Sequence, residues 1–141
     1  EAIDLFSNRY KDIKIDKIVA IESRGFLIGA PLAYLLNIGL VLIRKPGKLP
    51  AKTFKQEYTL EYGVDQIEIH SDAINDGEKV LIVDDLIATG GTAEAASRLI
   101  EISKGNVAAF IFVINLFDLG GSDKLIEKGF KVENLIEFPG H

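Results

Sequence analysis

Residues 80 to 92 read VLIVDDLIATGGT, an apolar run ending in two adjacent carboxylates, Asp84 and Asp85, followed by a Thr-Gly-Gly-Thr turn. The run predicts a buried strand, and open α/β sheets place their ligands at the carboxyl ends of parallel strands. Gly90 and Gly91 let the backbone come close and take positive φ. Successive N–H groups can then converge on a phosphate at the positive end of the following helix dipole. Thr89 and Thr92 add hydroxyl donors. The pattern is not a Walker loop, which needs G-x-x-x-x-G-K-[ST], nor is it G-x-G-x-x-G. An acidic strand end and a glycine turn with Thr92 as helix N-cap would explain either feature alone, but not both at this spacing.

A second segment stands apart in charge. Residues 44 to 55, RKPGKLPAKTFK, hold Arg44, Lys45, Lys48, Lys52 and Lys55 with two prolines, one glycine and no acidic residue. Such a cluster is either a solvated surface loop or a mobile loop that closes on a small, strongly anionic ligand. The chain as a whole is acidic, with net charge −5 and a pI near 5.0. That excludes an electrostatically driven nucleic-acid binder as the default and points to no nucleic-acid partner. With no cysteine, thiolate metal sites, thiol nucleophiles and disulfides are excluded. His70 and His141 make no convincing zinc site and are left unassigned.

These residues need a scaffold. The chain has 141 residues, 48% of them hydrophobic and 26% charged, enough for one well-buried core, and a single domain over 1–141 is expected. No apolar run approaches the roughly 20 residues that span a bilayer, and the first ten residues lack the layout of a signal peptide. A cytoplasmic protein with no membrane partner is expected. The chain holds no Met and begins at Glu1, so its N-terminus is expected to have been lost, processed or left out.

Apolar spacing predicts a helix over 1–10, a strand over 17–21, and a helix over 25–37 with Leu27, Ala30, Leu35 and Leu36 on its apolar face and Pro31 in the first turn or at a kink. Further strands are expected at 39–43, in the alternating stretches 58–63 and 65–70, and at 78–85, 106–116 and 130–138. A helix from Thr92 should bury Ala95, Ala96, Leu99, Ile100 and Ser103 and end near Gly105, and a short helix over 122–128 has Ser122 as candidate N-cap. This alternation is that of an α/β protein with an open, mostly parallel twisted sheet and helices on both faces.

The 80–92 stretch resembles the phosphoribosyl pyrophosphate (PRPP) motif of the purine and pyrimidine phosphoribosyltransferases. IESRGFLIGAPLA (21–33), LIRKPGKLP (42–50) and LEYGVDQIEIHSDAI (60–74) are similar to segments of the adenine branch of that family, in the family's order and over most of the chain. The resemblance implies the type I phosphoribosyltransferase fold with a flexible catalytic loop. It implies that Asp84 and Asp85 hold the ribose 2′ and 3′ hydroxyls, and that Ala88, Thr89, Gly90, Gly91 and Thr92 cradle the 5′-phosphate. Glu22, Ser23, Arg24 and Gly25 match the pyrophosphate loop, often with a cis peptide before the Ser23 position. Arg44, Lys45 and Lys48 match cations that reach pyrophosphate when the loop closes. Tyr62 matches the closing tyrosine, Glu61 the carboxylate that manages the proton on N7 of adenine, and Leu86 and Ile87 lie where the family flanks the base.

Each assignment has a plainer reading beside it. Arg24 could form a surface ion pair, Glu61 could be an outward strand residue, and Tyr58 and Tyr62 could simply pack. Relatives carry an N-terminal segment over the base, and this chain is expected to begin after it. Asn115 stands where relatives usually have Glu, with no role assigned. The implied reaction joins adenine and PRPP to give AMP and pyrophosphate, with Mg²⁺ held through PRPP and not by direct protein ligands. The family tends to be homodimeric. The alternatives are a transferase for guanine, xanthine or hypoxanthine, and a PRPP-sensing regulator without catalysis.

Overall fold

A computed structural model describes residues 2–50, 52–60 and 63–140. The elements run α1 (Ala2–Tyr10), β1 (Lys17–Ile21), α2 (Phe26–Leu36), β2 (Gly39–Ile43), β3 (Thr53–Leu60), β4 (Gly63–His70), β5 (Lys79–Ile87), α3 (Gly91–Ile102), β6 (Asn106–Leu116), a short 3₁₀ turn (Phe117–Leu119), α4 (Gly121–Glu127) and β7 (Val132–Phe138). Five strands form one sheet in the order β2-β1-β5-β6-β7, and every pairing in it is parallel. β3 and β4 form a separate antiparallel hairpin that meets the sheet through the backbone pair Arg44 and Glu68.

The central strands are apolar on both sides because both faces of the sheet are covered. Val19, Ile82, Phe110 and Phe112 pack with Ala95, Ala96, Leu99 and Ile100 of α3 and with Ile67 and Ile69 of the hairpin. Their sequence neighbours Ile18, Leu81, Val83 and Ile111 face the other way, onto Phe6 and Tyr10 of α1 and Ile28 and Leu32 of α2. Period-two alternation along each strand thus builds two cores. α3 stops as expected: Gly105 N–H donates to the Ile100 carbonyl at 2.9 Å. The left-handed residue at this stop is Lys104, and a Cβ on Gly105 would come within 2.7 Å of Ile74 Cγ2. No helix is long and apolar enough to cross a membrane among the described residues.

Three local expectations are corrected and one is narrowed. α2 buries Ile28, Gly29, Leu32 and Ala33, while Leu27, Ala30 and Leu35 face outward and Leu36 is half-buried. A helix apolar nearly all round gives periodicity nothing to choose with. The side is set by Gly29, where a Cβ would lie 2.7 Å from that of Ala20, so only a glycine-width surface lets α2 approach β1. Pro31 lies in the second turn, so of its two expected places the first turn is ruled out. Neither Ser122 nor Thr92 caps its helix with a side chain: both helices start from left-handed glycines, Gly120 and Gly90. The last part of the basic segment, Thr53 to Lys55, is not loop but the start of β3, paired with Glu68, Ile69 and His70.

Candidate active site

β5 carries Asp84 and Asp85 to the carboxyl end of the parallel sheet, and the chain turns through Ala88–Gly90 into α3. Gly90 has φ +87° and Gly91 opens the helix, a conformation that a side chain at residue 90 would strain. A cavity of about 240 Å³ lies over this turn. It is lined by Asp84, Asp85 and Leu86, by residues 88 to 92, by Glu22 and Arg24 from the turn after β1, and by Lys45 from the chain after β2. The connections that follow three adjacent strands of the sheet, β2, β1 and β5, therefore meet at one cavity, which is why Arg24 and Asp85, 61 positions apart in sequence, touch.

The electrostatics of the cavity are tightly arranged. The Asp85 N–H donates to Asp84 Oδ1 at 2.8 Å. Burial pushes the Asp84 carboxyl up, to about 8. The hydrogen bond with the Asp85 side chain and its charge push the same way, while the Asp85 N–H and Arg24 pull down. Arg24 Nε sits 3.0 Å from Asp85 Oδ2, so the ion pair expected as the plain reading of Arg24 does form, but within the cavity lining and onto the acidic pair. Arg44 Nε and the Lys45 N–H both donate to Glu22 Oε1, at 3.1 and 2.9 Å. Burial alone would raise Glu22, but these two donors and the charges of Arg44 and Lys48 hold it below the usual carboxylate range. Lys45 Nζ donates to Asp65 Oδ2 at 2.5 Å and to Tyr58 Oη at 2.7 Å. Burial works against its charge, yet those bonds keep the ammonium above its ordinary value. Arg24, Arg44 and Lys45 each already have a carboxylate partner, so an arriving polyanion must exchange with Asp85, Glu22 and Asp65.

Of the residues singled out in the sequence, Glu22, Arg24, Lys45, Asp84, Asp85, Leu86, Ala88, Thr89, Gly90, Gly91 and Thr92 line the cavity, as does Ile87. Ser23 is exposed on the Glu22–Ser23–Arg24 turn, and the Glu22–Ser23 peptide is cis as the resemblance implies. Arg44 stands behind Glu22 with its guanidinium over the Phe26 ring. Lys48 is exposed at the end of a turn in which its N–H donates to the Lys45 carbonyl, with Pro46 and a positive-φ Gly47 at the corners. Glu61 and Tyr62 lie outside the described residues.

Sequence reasoning missed Asp65 as the partner of Lys45 and Gly121 as a neighbour of the 88–90 turn. The second had a signal: Gly120-Gly121 repeats the glycine pair of 90–91 at the end of the next strand. Tyr58 is buried, and its hydroxyl also holds Lys45. His70 lies elsewhere, in a groove beside β2, and Asn115 is buried at the end of β6 in register with Ile87.

No three His, Asp or Glu side chains converge on a possible metal site among the described residues. Asp84 and Asp85 are hard oxygen donors, so a divalent cation such as Mg²⁺ would fit here only by taking the rest of its shell from water and a bound ligand. The arrangement can accept hydrogen bonds from vicinal hydroxyls at Asp84 and Asp85, donate N–H groups to a phosphate at the start of α3, and offer Arg24 and Lys45 to a second anionic group.

Comparison with known proteins agrees with this geometry. Residues 1–139 match the family model described as phosphoribosyl transferase domain. The adenine phosphoribosyltransferase of Pelagibacter ubique (strain HTCC1062) is 57% identical over 141 residues, covering 100% of this chain and 81% of that protein. The crystal structure of adenine phosphoribosyltransferase from Thermoanaerobacter pseudethanolicus is 50% identical with a TM-score of 0.92, over 97% of this chain and 78% of that one. The Saccharomyces cerevisiae enzyme, solved with an imino-altritol bisphosphate and adenine, is 46% identical with a TM-score of 0.87, over 95% and 75% of the two chains.

Proposed function

The chain belongs to the phosphoribosyltransferase family, and we propose from that premise that it is an adenine phosphoribosyltransferase, acting as a single domain in the cytoplasm: PRPP and adenine give AMP and pyrophosphate. The observation that carries the reading is the meeting of Asp84, Asp85 and the left-handed Gly90 turn on one cavity that Arg24 and Lys45 also line. That is the charge layout of a ribose with phosphate at one end and pyrophosphate at the other.

In this reading the N9–C1′ bond forms as the C1′–O bond to pyrophosphate breaks, and the purine gives up one proton. Positive charge grows on the sugar and negative charge on the leaving group. Asp84 and Asp85 accept the ribose hydroxyls and fix C1′ in place. The N–H groups of residues 88 to 92 hold the 5′-phosphate, and Leu86 and Ile87 flank the base. Arg24, Arg44, Lys45 and Lys48 face the leaving pyrophosphate beside Glu22 and Ser23, and stabilise the charge that develops there. Glu61 takes the N7 proton and Tyr62 closes the loop, roles that rest on the resemblance alone. Bound with PRPP, Mg²⁺ supplies further neutralisation of the pyrophosphate charge.

The partner is a second copy of the chain, a reading supported by the outward apolar face of α2, where Leu27 is 77% and Tyr34 83% exposed. Turnover of adenine, hypoxanthine, guanine and xanthine with PRPP and Mg²⁺ tests the function. Nucleotide formation with adenine, and at most traces with the oxopurines, is expected. Preference for an oxopurine would move the chain to another branch, and tight PRPP binding without turnover would leave a regulator.

A further inference from the structure

The turn that receives the 5′-phosphate in the reading above does not stand alone. At the end of the neighbouring strand β6, Gly120 and Gly121 open α4 directly against it. The Gly121 N–H donates to the Ala88 carbonyl at 3.1 Å. A Cβ placed on Gly121 would lie 2.4 Å from Ala88 O, 2.6 Å from Gly90 N and 2.8 Å from the Thr89 carbonyl carbon. One placed on Gly90 would lie 3.0 Å from Gly121 Cα. The two backbones therefore touch with no side chain between them. One helical turn on, Lys124 Nζ donates to the Thr89 carbonyl at 3.3 Å. Two consecutive carbonyls of the turn, those of Ala88 and Thr89, are thus both taken by α4.

In a trans peptide the C=O and the following N–H share a plane and point in opposite directions. The cis bond among the described residues is Glu22–Ser23, so the 88–89 and 89–90 peptides are trans. With the Ala88 oxygen turned to Gly121 and the Thr89 oxygen turned to Lys124, the N–H groups of Thr89 and Gly90 must point away from α4. We infer that Gly121 and Lys124 are positioning residues that aim the Thr89 and Gly90 amides of the turn at the ligand's phosphate, without touching the ligand themselves. The inference deepens the phosphoribosyltransferase reading and rests on it. The Lys124 charge also polarises the peptide whose N–H is presented, which strengthens that donor. Gly121 must be glycine for a different reason from Gly90: its φ is ordinary, and the requirement is close approach alone.

The test separates phosphate recognition from folding. Lys124→Met keeps the length of the side chain and removes the donor. It is expected to raise KM for PRPP and weaken AMP in calorimetry by roughly three- to ten-fold, the worth of one hydrogen bond, with KM for adenine unchanged. Lys124→Arg should restore most of the loss. Gly121→Ala should act in the same direction and further, and circular dichroism shows whether it folds; if it does not, the lysine pair decides. Wild-type chain that takes neither AMP nor PRPP overturns the functional reading and this inference together. Wild type that binds AMP while Lys124→Met binds it equally well, or raises both KM values alike, overturns the inference and leaves the functional reading standing.

Discussion

Asp84 is more costly to the ligand-free protein than any other carboxylate in the cavity, because burial and the adjacent Asp85 both oppose its charge. A carboxyl whose folded-state pKa is raised makes the folded state the better proton binder. Its contribution to stability is whole below the unfolded value near 3.8 and is lost as pH rises through about 8. Thermal stability of the ligand-free protein should therefore fall over that window. Asp84→Asn should flatten the decline and raise stability at pH 8 by on the order of 1–3 kcal/mol. The same change removes a hydroxyl acceptor, so with Asp85→Asn it should weaken PRPP severely in calorimetry. A wild-type melting curve flat from pH 4 to 8, or a double variant with unaltered affinity, would take Asp84 out of this role. Glu22 and Asp65 show the opposite arrangement: their cations hold them charged, so they store the basic side chains until a polyanion competes for them.

At the level of elements, the basic segment divides in two. Residues 45 to 48 form a turn with exposed Pro46, Gly47 and Lys48, whereas Thr53 onward is strand, paired with β4 and packed through Tyr58 into the core under α3. Trypsin should cut ligand-free protein after Lys48 well before Lys52, whose carbonyl accepts from the Ser71 N–H at 2.9 Å, and Lys55, whose backbone is in the hairpin ladder, while Pro46 shields the bond after Lys45. PRPP with Mg²⁺ gives the cations a shared partner and should slow cutting at Lys48, phosphate alone much less. Equal rates with and without saturating ligand would return the segment to a solvated loop. The same division shows what was legible in the sequence. The parallel sheet, the order of its strands along the chain and the Asp84 to Thr92 site could be read because apolar runs, carboxylate ends and glycine turns are local signals. The buried side of α2, the reach of β3 into the basic segment and the Gly121 contact could not, because each is decided by what a distant backbone allows: Ala20 beneath Gly29, Glu68 beside Lys55, Ala88 beneath Gly121.

At the scale of the whole molecule, one helix links the site to the outer surface. α2 begins immediately after the Glu22–Arg24 turn, and the Gly25 N–H is bonded to the Ile21 carbonyl at the end of β1. A Cβ on Gly25 would lie 2.5 Å from that same oxygen, so the start of the helix has no room to shift over the sheet. The inward face of α2 is held by Ile28, Leu32 and Ala33, and its outward face presents Leu27, Tyr34 and Leu35 to solvent with Ala30 and Pro31 between them. An apolar strip on a helix that is already fully packed on its other side stabilises nothing in the monomer. Covering it with the same strip of a second copy removes it from water at about 25 cal/mol per Å² and satisfies a two-fold contact with itself. The protein should therefore sediment as a dimer, and Leu27→Asp with Tyr34→Asp should yield a folded monomer with an unchanged far-ultraviolet spectrum. Since α2 carries the Arg24 turn at its start, the monomer should also show a raised KM for PRPP, whereas a change in mass alone would mean that the covered face only joins the copies. A double variant that remains dimeric would place the contact elsewhere on the chain.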